Sequence, residues 1–305
     1  MSDINLFRIN PNVEAISLKA VKLEREIQNL IEHNMETFFG VRFLASEYTI
    51  SLTEGADIQG GRIDSLGIDE NNCPVIFEYK RDANENVINQ GLFYLDWLID
   101  HRADFKLLVM EKLGKDAADA IDWSFPAVYC IANAFGKYDL HAIKQMNRNI
   151  RLIRYANGGD IVMFEYLNAP TLASVSATPV TTNTANGKRS DKTYTQQYEE
   201  TTDELREIVD EIRHFMTELG DDVSENVLKR YLAIKKFRNI ACVEVNKTRV
   251  ILHIHLDPDT VELSENVIDA RAKGHWGTGD LEVSIKTMEE FEEIKPLLER
   301  AYLEN

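Results

Sequence analysis

Residues 61–90 read GRIDSLGIDENNCPVIFEYKRDANENVINQ, and the pattern is strand, polar turn, strand, helix start. Arg62 to Ile68 alternates, with Asp64, Leu66 and Ile68 on one face. Asp69 to Asn72 (DENN) is turn chemistry, and Pro74 stands at the entry of the next strand, where a missing N–H is tolerated. Val75 to Lys80 (VIFEYK) follows as a short β-rich run whose period of two puts Ile76, Glu78 and Lys80 on one face.

A turn centred near Asn71 sets Asp64 opposite Glu78, and directly opposed residues of paired strands have Cβ atoms about 4.5–5.5 Å apart. Carboxylates that close repel unless something positive lies between them. A divalent cation suits the gap, since Mg²⁺ is commonly held by one or two carboxylates together with water and substrate phosphate. Lys80 shares the face of Glu78 and is expected to reach the phosphate or the attacking water. Two acids and a lysine so arranged are the pattern of a metal-dependent phosphodiesterase.

Asp64, Glu78-Tyr79-Lys80 and Gln90-x-x-x-Tyr94 together resemble the core of the PD-(D/E)XK nuclease superfamily, most closely its RecB-type and NucS-like endonuclease domains. The likeness takes in LEREIQNLIEHN and FFGVRFLASEYTI, and so runs over about residues 15 to 110; Ile63 stands where the signature's proline would be. It implies a restriction-endonuclease-like α/β fold, a mixed sheet flanked by helices. It implies Mg²⁺ or Mn²⁺ held by Asp64, Glu78, the carbonyl of Tyr79 and a glutamate of the preceding helix. Glu26 matches that glutamate best in position, with Glu24 as the alternative. Lys80 would orient or activate the water, and Gln90 would hold a phosphate or the Lys80 side chain. Arg62, Arg81 and Tyr94 are the candidates for nucleic-acid contact, although Arg62 is equally placed to pair with Glu78. Superfamily members often dimerise, so a homodimer is a candidate state.

Composition sets bounds on this reading. With 305 residues, two cores are expected. No apolar run approaches the roughly 18–20 residues of a membrane span, and MSDINLFRIN lacks a signal-peptide core, so a cytoplasmic location is expected. Cys73, Cys130 and Cys242 are scattered, giving neither a zinc pattern nor a disulfide framework. The net charge of −17 argues against tight, non-specific nucleic-acid binding, which rests on Lys and Arg neutralising phosphates. It leaves hydrolysis open and keeps a second reading in play: a catalytically silent module on a nuclease fold that binds nucleic acid or protein.

Along the first 167 residues the pattern predicts a short strand or arm at Leu6–Ile9, then a helix over Ser17–Met35 with Leu23, Ile27, Leu30, Ile31 and Met35 as its stripe. Glu26 lies at the border of that stripe, or else beside Lys22 in solvent. A strand is expected over Glu47–Ile50, a flexing glycine-rich loop over Thr53–Gly61, and a helix over Glu85–Asp100 with Gln90, Tyr94, Trp97 and His101 as its second stripe, the last two as packing and helix-end residues. Further strands are read at Phe105–Met110, Ala127–Ala132, Ile150–Tyr155 and Asp160–Tyr166, the last two about an Asn157-Gly158-Gly159 turn, with helices over Gly114–Ile121 and Tyr138–Met146.

Residues 168–197 are small and polar and read as a mobile linker. A second, smaller α+β domain is expected over residues 198–305: an acidic amphipathic helix over Glu200–Leu219, a helical turn or strand lead-in over Val227–Ile234, a hairpin of Ile240–Val245 with Arg249–Leu256, a strand at Asp280–Ile285 and a helix over Met288–Tyr302. KKFRNIACVEV, GHWGTGDLEVSI and LLERAY resemble a domain of unknown function that follows nuclease and restriction modules and is sometimes labelled a predicted transport protein, although no membrane segment supports transport. His253 and His255 share a strand face, expected to be solvated rather than metal-binding. Lys229, Arg230, Lys235, Lys236, Arg238, Lys247, Arg249, Arg271 and Lys273 are candidates for a basic face around Trp276, against the alternative of a mixed surface with Trp276 in the core.

Overall fold

The structure is a computed structural model describing residues 6–9, 12–18, 24–54, 57–80, 87–146, 148–168 and 192–305, without the side chains of 51–54 and 57–59. It is a mixed α/β architecture. A small hairpin of β1 (Leu6–Ile9) and β2 (Val13–Ile16) forms a separate two-stranded sheet. Helix α1 (Glu24–Phe39) leads into β3 (Val41–Glu54), β4 (Asp57–Asp69) and β5 (Pro74–Lys80). Helix α2 (Val87–Asp100), α3 (Arg102–Leu113) and the short α4 (Lys115–Asp119) precede β6 (Ala127–Ala132). Helix α5 (Lys137–Ile143) and the hairpin of β7 (Ile150–Asn157) with β8 (Val162–Tyr166) complete the first unit.

Its six strands run in the order β3-β4-β5-β6-β7-β8. The first three are antiparallel and β5-β6-β7 are parallel, so the chain crosses over through α2, α3 and α4 between β5 and β6. Cores form on both faces. Ile27, Ile31, Met35 and Phe39 of α1 pack on Phe77, Tyr79 and Tyr129. Leu95 and Leu98 of α2 pack with Ile76, Leu66 and Val128 on the other face. Central strands covered on both sides read as continuous apolar runs, and VIFEYK and AVYCIA show that pattern.

The second unit has its own core. Helices α6 (Tyr194–Glu200), α7 (Asp203–Glu218) and α8 (Met288–Glu304) cover one face of a sheet made from β9 (Ser224–Val227), β10 (Leu232–Lys235), β11 (Asn239–Val245), β12 (Val250–Ile254), β13 (Val267–Asp269) and β14 (Leu281–Ile285). The sheet order is β13-β14-β12-β11-β10-β9.

Several expectations are corrected. Phe105–Met110 is helical within α3, not a strand: Phe105 and Val109, four apart, are buried, whereas Leu107 is 58 % exposed. A period-two reading would have buried Leu107 with them. The expected loop over Thr53–Gly61 is strand as far as Glu54 and from Asp57 onward, a long β3–β4 hairpin; residues 55 and 56 lie outside the described residues. Helix α1 continues past Met35 to Phe39, and Leu23 and Lys22 lie outside the description. Tyr194–Gln197, assigned to the linker, form the first turn of helix α6, whose N-terminus is capped by Thr193. The rest of that linker falls largely within residues 169–191, outside the described residues. Helix α6 ends before Thr202, which caps α7, so the single helix expected over Glu200–Leu219 is broken there.

The two units meet through the β4–β5 turn. Asp69 Oδ1 accepts from the backbone N–H groups of Asn71 and Cys73, at 2.9 and 2.8 Å, which closes the turn. Asn71 faces outward into the second unit, where its Oδ1 accepts from Asn239 Nδ2 (2.6 Å) and from the Tyr231 hydroxyl (2.9 Å). Glu70 accepts from the Asn239 N–H at 2.6 Å. Lys235, 3 % exposed, sets its ammonium 4.0 Å from Asp69 and 3.8 Å from Glu70. Cys73, Leu228, Tyr231 and Cys242 form an apolar cluster beside this network.

Candidate active site

The β4–β5 register pairs Ser65 with Phe77 and thereby sets Asp64 beside Glu78. Each acid is tied to the other's strand. Asp64 Oδ2 accepts from the Tyr79 N–H at 3.0 Å, and Glu78 Oε1 lies 3.4 Å from the Asp64 N–H. Glu78 is 0 % exposed, and its Oε2 has no hydrogen-bond partner among the described residues. Burial, with the Asp64 charge second, pushes its carboxyl up to about 9. Burial also raises Asp64, against the opposing effects of the Tyr79 N–H and Lys80.

Lys80 ends β5 on the same face, half-buried, with its ammonium 3.6 Å from Glu24. Glu24 is therefore the α1 glutamate at the site. Glu26 is exposed, so the placement of Glu26 there is corrected. The reason is helical phase: the buried positions are Ile27, Gln28, Ile31, Met35 and Phe39, and Glu24 lies four and seven residues before Gln28 and Ile31. Leu30, counted in the stripe, is 36 % exposed.

Other candidates divide. Gln90 is half-buried and donates to the Tyr94 hydroxyl at 3.1 Å; that oxygen also accepts the Arg62 N–H at 3.2 Å. Tyr94, named for nucleic-acid contact, is 5 % exposed and braces β4 two residues before Asp64. Arg62 is exposed and pairs with Glu47 at 2.6 Å rather than with Glu78. The Tyr79 ring is buried on the α1 side, leaving only its backbone available to the site. Arg81 lies outside the described residues. Trp97 stacks on His101 at 4.1 Å, the packing role expected of the pair.

Three residues were not singled out from the sequence. Glu47 adopts a left-handed backbone (φ 54°) on β3, across from Asp64, and its charge bears on that acid. Its position among bulkier β residues carries no sequence signal of that conformation. Gln28 is buried and donates to the Asp64 carbonyl at 3.1 Å, and Glu32 accepts from Ser65 at 2.6 Å. Both polar residues lie on the buried face of α1, a readable sign of a partner on the sheet.

Among the described residues, no group of three or more His, Cys, Asp and Glu is arranged as a metal cage. The donor set available at β4–β5 is two carboxylates with backbone carbonyl and water. That set fits Mg²⁺ or Mn²⁺, which keep several waters and need one or two protein carboxylates. Burial is the main cause of the rise in both carboxyls, with the Asp64 charge adding to it at Glu78.

In the second unit, His253 is 2 % exposed, which corrects the expectation of a solvated face. Trp276 is 53 % exposed rather than core. The basic face does not assemble as a whole. Lys235 is buried at the interface, Arg271 is taken by Asp259 and Asp269, and Lys273 by Glu282.

Residues 194–305 match the family described as a domain of unknown function (DUF5655). An uncharacterized protein of Haemophilus influenzae is 30 % identical over 302 residues, covering 92 % of this chain and 93 % of that protein. The chain belongs to that protein's family. The matched length takes in both units of this chain. No solved structure matches the chain. No helix among the described residues is long and apolar enough to cross a membrane.

Proposed function

We propose that this protein is a metal-dependent nuclease hydrolysing phosphodiester bonds, with DNA as the substrate and a restriction-endonuclease-like first unit. The observation that carries the reading is half-buried Asp64 beside fully buried Glu78 on adjacent strands, with a Glu78 oxygen that has no hydrogen-bond partner among the described residues and Lys80 on the same face. Asp64 and Glu78 would hold Mg²⁺ or Mn²⁺, helped by the Tyr79 carbonyl. The ion supplies a water of lowered pKa and a positive charge for the developing negative charge on phosphorus oxygens. Lys80 orients the attacking water and offsets charge on the phosphate. Glu24, 3.6 Å from the Lys80 ammonium, holds that side chain in place. Gln90, fixed by Tyr94, is left with its carbonyl oxygen to position a water or Lys80.

The net charge of −17 favours the second reading, a module that binds without cutting. Calorimetric titration with Mn²⁺ separates the two. The nuclease reading expects a saturable site in the wild type that Asp64→Asn loses. Absence of metal binding in the wild type would leave only the binding-module reading.

A further inference from the structure

A cleft of about 430 Å³ opens on the second unit, lined by Trp276, Arg230, Lys247, Lys192, Glu244 and their neighbours. Its volume is in the range that holds a small organic ligand. Three features of its wall call for different parts of one molecule.

The first is a platform. Trp276 keeps 53 % of its surface exposed although its loop is pinned on both sides. His275 stacks on the buried His253 at 4.0 Å with the rings 11° from parallel. Gly277 (φ +79°) approaches the sheet so closely that a Cβ there would meet Cys242 at 2.6 Å. Lys273 is tied to Glu282 at 2.6 Å. The Arg230 guanidinium lies 5.0 Å over the indole, so cation and ring form the start of a stack that a further planar group can extend.

The second is an acceptor. Glu244 lines the cleft with its side chain 22 % exposed, while its Oε1 is out of solvent, 3.2 Å from His253 Nε2. An N–H group of a ligand can donate to the exposed part of that carboxylate, a charge-assisted hydrogen bond. The third is charge. In a chain of net −17 the cleft brings together Lys192, Arg230 and Lys247 against Glu200 and Glu244, and Lys247 is exposed.

We propose that this cleft binds a nucleoside phosphate, its base stacked on Trp276 and Arg230, an N–H of the base on Glu244, and its phosphate at Lys247. A flat ring, a donor edge and an anion on one small scaffold are the chemistry the three features share. The site stands apart from the β4–β5 acids and is independent of whether they cut nucleic acid. The ligand is either a free nucleotide or the phosphorylated end of a strand.

The test is calorimetry on the full chain in EDTA with AMP, GMP, adenosine and a 5′-phosphorylated trinucleotide. Saturable binding of AMP or GMP, at least tenfold weaker in Trp276→Leu, supports a free nucleotide. Binding of the trinucleotide alone, with the same loss, supports a strand end. Adenosine should bind several-fold more weakly than AMP, with the gap closing in Lys247→Ala, and Asp64→Asn should bind as the wild type does. Trp276 is exposed, so its replacement leaves the core intact, checked by an unchanged thermal midpoint. No saturable binding to any probe, or wild-type affinity in Trp276→Leu, overturns the proposal.

Discussion

Glu78 is buried between two strands with its carboxyl raised from the usual 4.5 to about 9, mainly by burial and then by Asp64. Between those values the folded chain holds a proton that the unfolded chain has released. The advantage of the protonated form is complete below the unfolded value and is lost as pH rises through about 9. The metal-free protein should therefore melt progressively lower from pH 5 to pH 9. Glu78→Gln, which carries no ionisable group, should flatten that slope and melt higher than wild type at the alkaline end. Thermal melts in EDTA across this range check it; parallel profiles for the two proteins would contradict it. Asp64, Glu78 and Lys80 were legible from the sequence because a two-residue period and a turn of known chemistry fix which face each occupies. Glu24 was not ranked first because the apolar residues of α1 permit two phases. Buried Gln28, which bonds the Asp64 carbonyl, decides between them only once the sheet is in place.

The β4–β5 hairpin is the element that converts sequence spacing into a site. Its register holds Ser65 against Phe77, and a slip of one residue would turn Asp64 to the opposite face. Close packing along β4 guards that register. A Cβ at Gly67 would lie 2.5 Å from Val41 Cγ1 and 2.9 Å from the Arg42 carbonyl, a backbone atom with little room to move. Gly67→Ala should cost roughly 1–3 kcal/mol by overpacking. Urea unfolding should show a lower midpoint at unchanged slope, and a wild-type midpoint would mean that β3 can shift. The hairpin was readable because each strand is bounded by turn residues. Residues 105–110 were misread because a short apolar run fits strand and helix alike, and only burial of Phe105 and Val109 with Leu107 exposed settles the period.

At the scale of the whole molecule, the turn that ends β4 is also the plug that joins the two units. Lys235 reaches Asp69 and Glu70 from the second unit with both acids nearly out of water. Burial raises both carboxyls, and the Lys235 charge opposes the rise. Removing that cation leaves buried acids without compensation, a loss of about 3–5 kcal/mol when such a pair is broken. Lys235→Met should lower the thermal midpoint by several degrees, and adding Asp69→Asn should recover part of it. A double variant no better than the single would place the loss elsewhere. The sequence marked Lys235 as surface charge, since a lysine in a basic run gives no sign that acids from a distant turn will enclose it. The same network sets Asn239 between Asn71 of the turn and Thr278, two residues beyond Trp276, so the hairpin bearing the acids and the loop bearing the cleft's platform share one buried support.

Asp64, Glu78 and Lys80 are proposed to form a metal-dependent hydrolytic site. Its most direct test is cleavage of supercoiled, linear and single-stranded DNA with Mg²⁺ or Mn²⁺, run beside Lys80→Ala. Cutting by the wild type should need the metal and should fall at least a hundredfold in the variant, which remains folded. Cutting by Lys80→Ala at the wild-type rate, or no cutting of any of these DNAs by a wild type shown to bind the metal, would contradict it.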